Sequence, residues 1–72
     1  MISIKLHDEY FEVNVYLRVQ QNIFLENMFV AYLANESARI DFASIGVEYA
    51  IGASISEAVR KLAHDMQRAQ NS

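Results

Sequence analysis

Residues 54–70, SISEAVRKLAHDMQRAQ, leave this chain few folds to choose from. Apolar side chains fall at Ile55, Ala58, Val59, Leu62, Met66 and Ala69, the spacing of one stripe on a 3.6-residue helix, with Ala63 beside it. Arg60, Lys61, His64, Asp65, Gln67 and Arg68 take the other side. The start is marked chemically. Ser54 can accept a bond from the Glu57 N–H, and Glu57 can reach back to the Ser54 N–H. Glu57 also precedes Lys61 by one turn, in the favourable order. A helix with one apolar stripe is not stable alone in water. It must lie against something, and the only candidates are upstream.

The chain has 72 residues, room for one domain over 1–72. A chain of this size buries only about 60% of its surface on folding, so its core is marginal. Small domains usually add disulfides, a metal or a second subunit. With no cysteine, disulfides and zinc–thiolate sites are excluded. The hydrophobic fraction is 53%, against about 45–50% in ordinary domains. Surplus apolar residues without a staple predict a homodimer or a higher homo-oligomer.

Upstream, Ile2, Ile4 and Leu6 alternate with Ser3 and Lys5, a short strand. His7-Asp8-Glu9 reads as a polar turn. Residues 10–20 then alternate strictly, with Phe11, Val13, Val15, Leu17 and Val19 on one face. Tyr10, Glu12, Asn14, Tyr16, Arg18 and Gln20 occupy the other. Period two over this length predicts one buried face and one wet face. The two strands should form an antiparallel hairpin, with Phe11 to Val19 facing the helix stripe.

Gln20-Gln21-Asn22 is the next polar break. Residues 23–34 carry two patterns at once. Phe24, Leu25, Met28, Phe29, Tyr32 and Leu33 recur at helical spacing, and Asn22 could cap that helix. Residues 28–33 are also an apolar run of strand length, rich in β-favouring types. The strand is preferred for 28–34. Asn35-Glu36-Ser37 reads as a loop. Ala38, Ile40 and Phe42 alternate with polar residues, as do Val47, Tyr49 and Ile51, with Gly46 between as a bulge or turn. The expected class is α+β: a small antiparallel β-meander of three to five strands with a C-terminal amphipathic helix on one face. The alternative is ββαββα, with a second helix at 23–34.

Two segments resemble a known family. Phe29-Val30-Ala31-Tyr32-Leu33 is similar to the central strand of HicB-type antitoxins. Gly46-Val47 and the run from Gly52 through Ser54, Glu57 and Val59 resemble that family's turn and the start of its helix. The resemblance implies a small sheet on a helix, like double-stranded-RNA-binding domains. It also implies neutralisation of a small basic ribonuclease toxin by protein contact. The family's proline-containing turn is absent, residues 35–45 are longer than its connection, and Ala53 stands where it has aspartate.

Charge points the same way. The net charge is −3. Residues 1–53 hold seven acids against three bases, and the last 19 residues two acids against three. An acidic body disfavours phosphate-backbone binding and suits a basic protein partner. Residues 1–6 are too short and too soon interrupted for a signal peptide, and no apolar run approaches the roughly 18–20 residues of a membrane span. The expected location is cytoplasmic.

Catalysis has little to rest on. No G-x-S-x-G elbow or phosphate loop is present. His64-Asp65 lies on the polar helix face, and three adjacent residues such as His7-Asp8-Glu9 rarely converge on one ion. No cofactor and no metal are expected. Tyr10, Glu12, Tyr16 and Arg18 share one strand face, and Tyr and Arg are enriched at interface hot spots. They are the candidate partner-binding residues. The expected function is a non-catalytic protein-interaction module that binds and inhibits a basic protein. The alternatives are a self-assembling accessory protein, or a nucleic-acid binder stacking bases on Tyr10 and Tyr16.

Overall fold

The computed structural model describes residues 2–18 and 28–71. Four strands and two helices follow in the order β1 (Ile2–Leu6), β2 (Glu9–Arg18), β3 (Met28–Leu33), α1 (Glu36–Ala43), β4 (Ala50–Gly52) and α2 (Ile55–Gln70). The sheet is antiparallel with spatial order β1-β2-β3-β4. The α+β class and the C-terminal helix packed on one sheet face are as expected.

His7 and Asp8 close the first hairpin, both with positive φ (51° and 64°). That is the geometry of a two-residue turn whose twist matches the strands. Glu9 belongs to β2 rather than to the turn. β2 pairs with β1 through Ile2↔Val13 to Leu6↔Glu9 and with β3 through Val13↔Leu33 to Arg18↔Met28. Val19, Gln20, the break at 20–22 and the disputed residues 23–27 lie outside the described residues. Over 28–33 the strand holds, so the alternative helix does not extend there.

The core lies between the sheet and α2. Leu62, Met66 and Ala58 are fully buried, against Ile4, Leu6, Val13, Ala31 and Leu33. α2 crosses chiefly over β3 and β4 and touches β1 and β2 less. Gly52 lets β4 and α2 approach this closely. A Cβ at Gly52 would sit 2.5 Å from the Ala58 backbone nitrogen. Ser54 caps α2 by accepting the Glu57 N–H at 3.1 Å. Glu57 itself turns to Lys61 (3.0 Å) and the Ala53 amide rather than to the Ser54 N–H.

Three expectations are corrected. Residues 35–43 are a capped helix, not a loop and a strand. The Asn35 side chain accepts the Ala38 N–H at 3.1 Å. Ala38 and Phe42 alternate like strand residues, but they are also one helical turn apart, and Ile40 between them is 60% exposed. Of the expected strand around Val47–Ile51, only Ala50–Gly52 pairs, and Val47 is instead tied to α1 by its N–H on the Phe42 carbonyl at 2.9 Å. The inner face of β2 is not covered throughout. Val13 is buried and Phe11 meets Phe42 of α1, whereas Leu17 is 46% exposed. Ile55, at the start of the helix stripe, is equally exposed.

Candidate partner-binding cleft

β3 stops opposite Val13, while β2 continues on to Glu9. The last bond on that side is the Ala34 N–H donated to the Glu12 carbonyl at 2.9 Å. The chain then leaves the sheet plane and forms α1 beneath it. Among the described residues, no strand pairs with Glu9–Phe11 on this side, and a cleft of about 550 Å³ opens between β2 and α1.

The floor of the cleft is apolar. Phe11 and Phe42 meet edge to face, with centroids 5.6 Å apart and planes at 88°. Such pairs contribute about 0.5–1.5 kcal/mol beyond their buried area. Ile45, half exposed, continues the floor. The walls carry Glu9 and Asp41, with Glu12 at the sheet edge, and among the described residues no lysine or arginine lines the cleft. Asp41 is fixed within α1, whose C-terminus is held by the Ser44 hydroxyl on the Asp41 carbonyl at 2.6 Å. Gly46, with φ +89°, then reverses the chain. The arrangement can take the alkyl stem of a lysine or arginine on the rings and hold its charged head at the carboxylates.

The four residues expected to bind a partner do not form one site. Tyr10 and Glu12 line the cleft. Tyr16 lies roughly 20 Å further along β2 than Tyr10, at about 3.3 Å per residue. There Tyr16 and Arg18 border a second depression with Tyr32, Arg39, Glu48 and Tyr49, over Val30, which is only 3% exposed. Tyr16 and Tyr32 stack edge to face at 5.9 Å. This patch holds both charge signs, so it selects a partner by shape more than by charge.

Glu9, Asp41, Phe42 and Ile45 were not among the sequence candidates. For Phe42 and its neighbour Asp41 the signal was present in Asn35 followed by Ala38 and Phe42 at three- and four-residue steps, a capped helical stripe, whereas Glu9 gave none. His7 and Asp8 occupy the hairpin turn, and His64 and Asp65 the exposed side of α2. Among the described residues no three acidic, histidine or cysteine side chains converge as a metal site. No helix of the described residues is long and apolar enough to cross a membrane. Comparison with known proteins finds no similar family model, curated protein or solved structure.

Proposed function

We propose that this chain is a non-catalytic, cytoplasmic protein-interaction module that holds a basic segment of a partner protein in the cleft between β2 and α1. One observation carries the reading: Glu9 and Asp41 flank the Phe11–Phe42 floor, Glu12 stands at the sheet edge beside it, and no base lines the cleft among the described residues. Charge of one sign over an apolar floor selects a cation with an alkyl stem and speeds its encounter. The HicB-like segments at 29–33 and 52–59 suggest a small basic ribonuclease as that partner, with inhibition as the outcome.

The test is capture from the native host with two baits, the natural chain and Glu9→Lys/Asp41→Lys. Both substituted positions are exposed, so the double variant should keep the circular dichroism of the natural chain. A basic protein held by the natural chain and lost by the variant is expected. Its affinity should weaken as salt rises, because rim charges are screened over about 8–10 Å at physiological salt. Recovery of the bait alone, or equal retention by both baits, refutes the reading.

A further inference from the structure

β1 is the outer strand of the sheet, and its free side faces no other element of the described residues except the flank of α2. Between the two runs a groove of about 590 Å³, lined by Ile2, Ile4, Ile55, Val59 and Ala63, with Lys5 and Arg60 at its rim. An uncovered strand edge beside an apolar groove is a template for pairing with another chain.

The backbone of β1 is set for such pairing. The Glu12 carbonyl accepts from Ala34 on the β3 side, so Glu12 turns its peptide groups away from β1. Its cross-strand neighbour is Ser3. Residues opposite each other in an antiparallel pair alternate between bonded and non-bonded. Ser3, and with it Lys5, therefore points its N–H and C=O out of the sheet. Ile2, Ile4 and Leu6 point theirs toward β2.

We propose that the occupant of this edge is a second copy of the chain, joined β1 to β1 antiparallel about a two-fold axis at Ile4. In that register Ser3 and Lys5 of one copy exchange bonds with Lys5 and Ser3 of the other, four bonds in all. Ile4 meets Ile4, a non-bonded pair, on the helix-facing side. The axis stands perpendicular to the sheet, so both α2 helices lie on one face and the Ile55–Val59–Ala63 flanks line a shared seam.

Charge selects this partner. On the outer face the row across the joint reads Glu12–Ser3–Lys5–Tyr10, the last two from the second copy. Two strand spacings, about 10 Å, separate the backbones of Glu12 and Lys5. The small Ser3 between them leaves their side chains free to meet. The two-fold makes the same contact twice and sets no like charges opposite each other along the strand. Among the described residues of the single chain the Lys5 ammonium meets the Tyr10 ring, 5.7 Å from its centroid, and no carboxylate. Arg60 at the rim lies one helical turn from Glu57, whose ion pair is with Lys61. A domain of this size without disulfide or metal gains most from such a partner.

Sedimentation equilibrium of the full chain tests the arrangement, with amide exchange read in parallel. The natural chain should dimerise, and the Ser3 and Lys5 amides should become protected as concentration rises. Lys5→Glu and Glu12→Lys should each weaken the dimer about tenfold, since each loses two attractions and gains two repulsions. The double variant should return to within about threefold of the natural chain. Ser3→Pro removes only an outward N–H, so it should abolish the dimer while circular dichroism stays unchanged. A chain that is monomeric throughout the micromolar range overturns the proposal. So does a dimer that tolerates Ser3→Pro, or whose single charge variants are not rescued by the double. The cleft test replaces Glu9 and Asp41 and leaves Ser3, Lys5 and Glu12 natural, whereas Ser3→Pro leaves every cleft-lining residue natural, so either reading can fail while the other stands.

Discussion

The two helices begin alike and are held differently. Asn35 caps α1 and Ser54 caps α2, each accepting the N–H three residues on at 3.1 Å. Beyond the cap they diverge. α2 runs 16 residues, buries Ala58, Leu62 and Met66 and touches every strand. α1 runs 8 residues, buries only Phe42 and packs chiefly on β3. A cap decides where a helix begins, and an apolar stripe decides how firmly the fold depends on it. The firmly held helix supplies the core. The lightly held one supplies Asp41 and Phe42 to the cleft, with Ile45 in the turn after it, as binding elements commonly come from the less stable parts of a fold.

The widest test of this contrast is Leu62→Ala. Leu62 is fully buried, and truncations of this kind cost about 2–5 kcal/mol. For a domain this small that is a large share of its stability. Denaturant unfolding should show the loss, with amide protection of β1, β2, β3 and α2 falling together. If β1 and β2 kept their protection while α2 lost its own, α2 would not be the element on which the sheet depends.

A finer test removes the caps. Ser54→Ala and Asn35→Ala should each cost about 0.5–2 kcal/mol of helix stability. The natural contrast predicts that only the first lowers global unfolding in full. Asn35→Ala should mainly speed exchange of the α1 amides and weaken partner binding at the cleft. Equal shifts of the global midpoint would show that α1 belongs to the same cooperative unit as the core.

The same contrast explains what could be read before folding. α2 was legible because six apolar positions share one period and a serine stands at its head. β2 was legible because its alternation is strict. The class followed from those two. α1 was not legible because Ala38–Ile40–Phe42 fits a strand and Ala38–Phe42 fits a helix, and eight residues are too few to separate the periods. Alternation alone puts Leu17 on the face of Val13, but alternation assigns a face and not what covers it. The acidic cleft was half legible. Glu12 and Tyr10 lie on a readable strand, whereas Asp41 comes beside them only because β3 ends early and the chain dips into α1.

The smallest expected effect concerns charge on the helices. Among the described residues both ion pairs lie on α2, Glu57–Lys61 at 3.0 Å and Asp65–Arg68 at 3.6 Å. The hydrogen bond and charge of Lys61 hold the Glu57 carboxyl below its usual range. A carboxyl lowered by folding adds stability that is complete above its unfolded value, about 4.3. That contribution fades as the pH falls through the lower folded value. Lys61→Gln should therefore melt slightly below the natural chain at neutral pH, and the gap should close in acid. Because the pair is open to water, the gap should be small and should shrink with added salt. A gap that persists in acid would assign the loss to the Lys61 stem packing on α2 rather than to its charge, and electrostatics would drop out of the difference between the two helices.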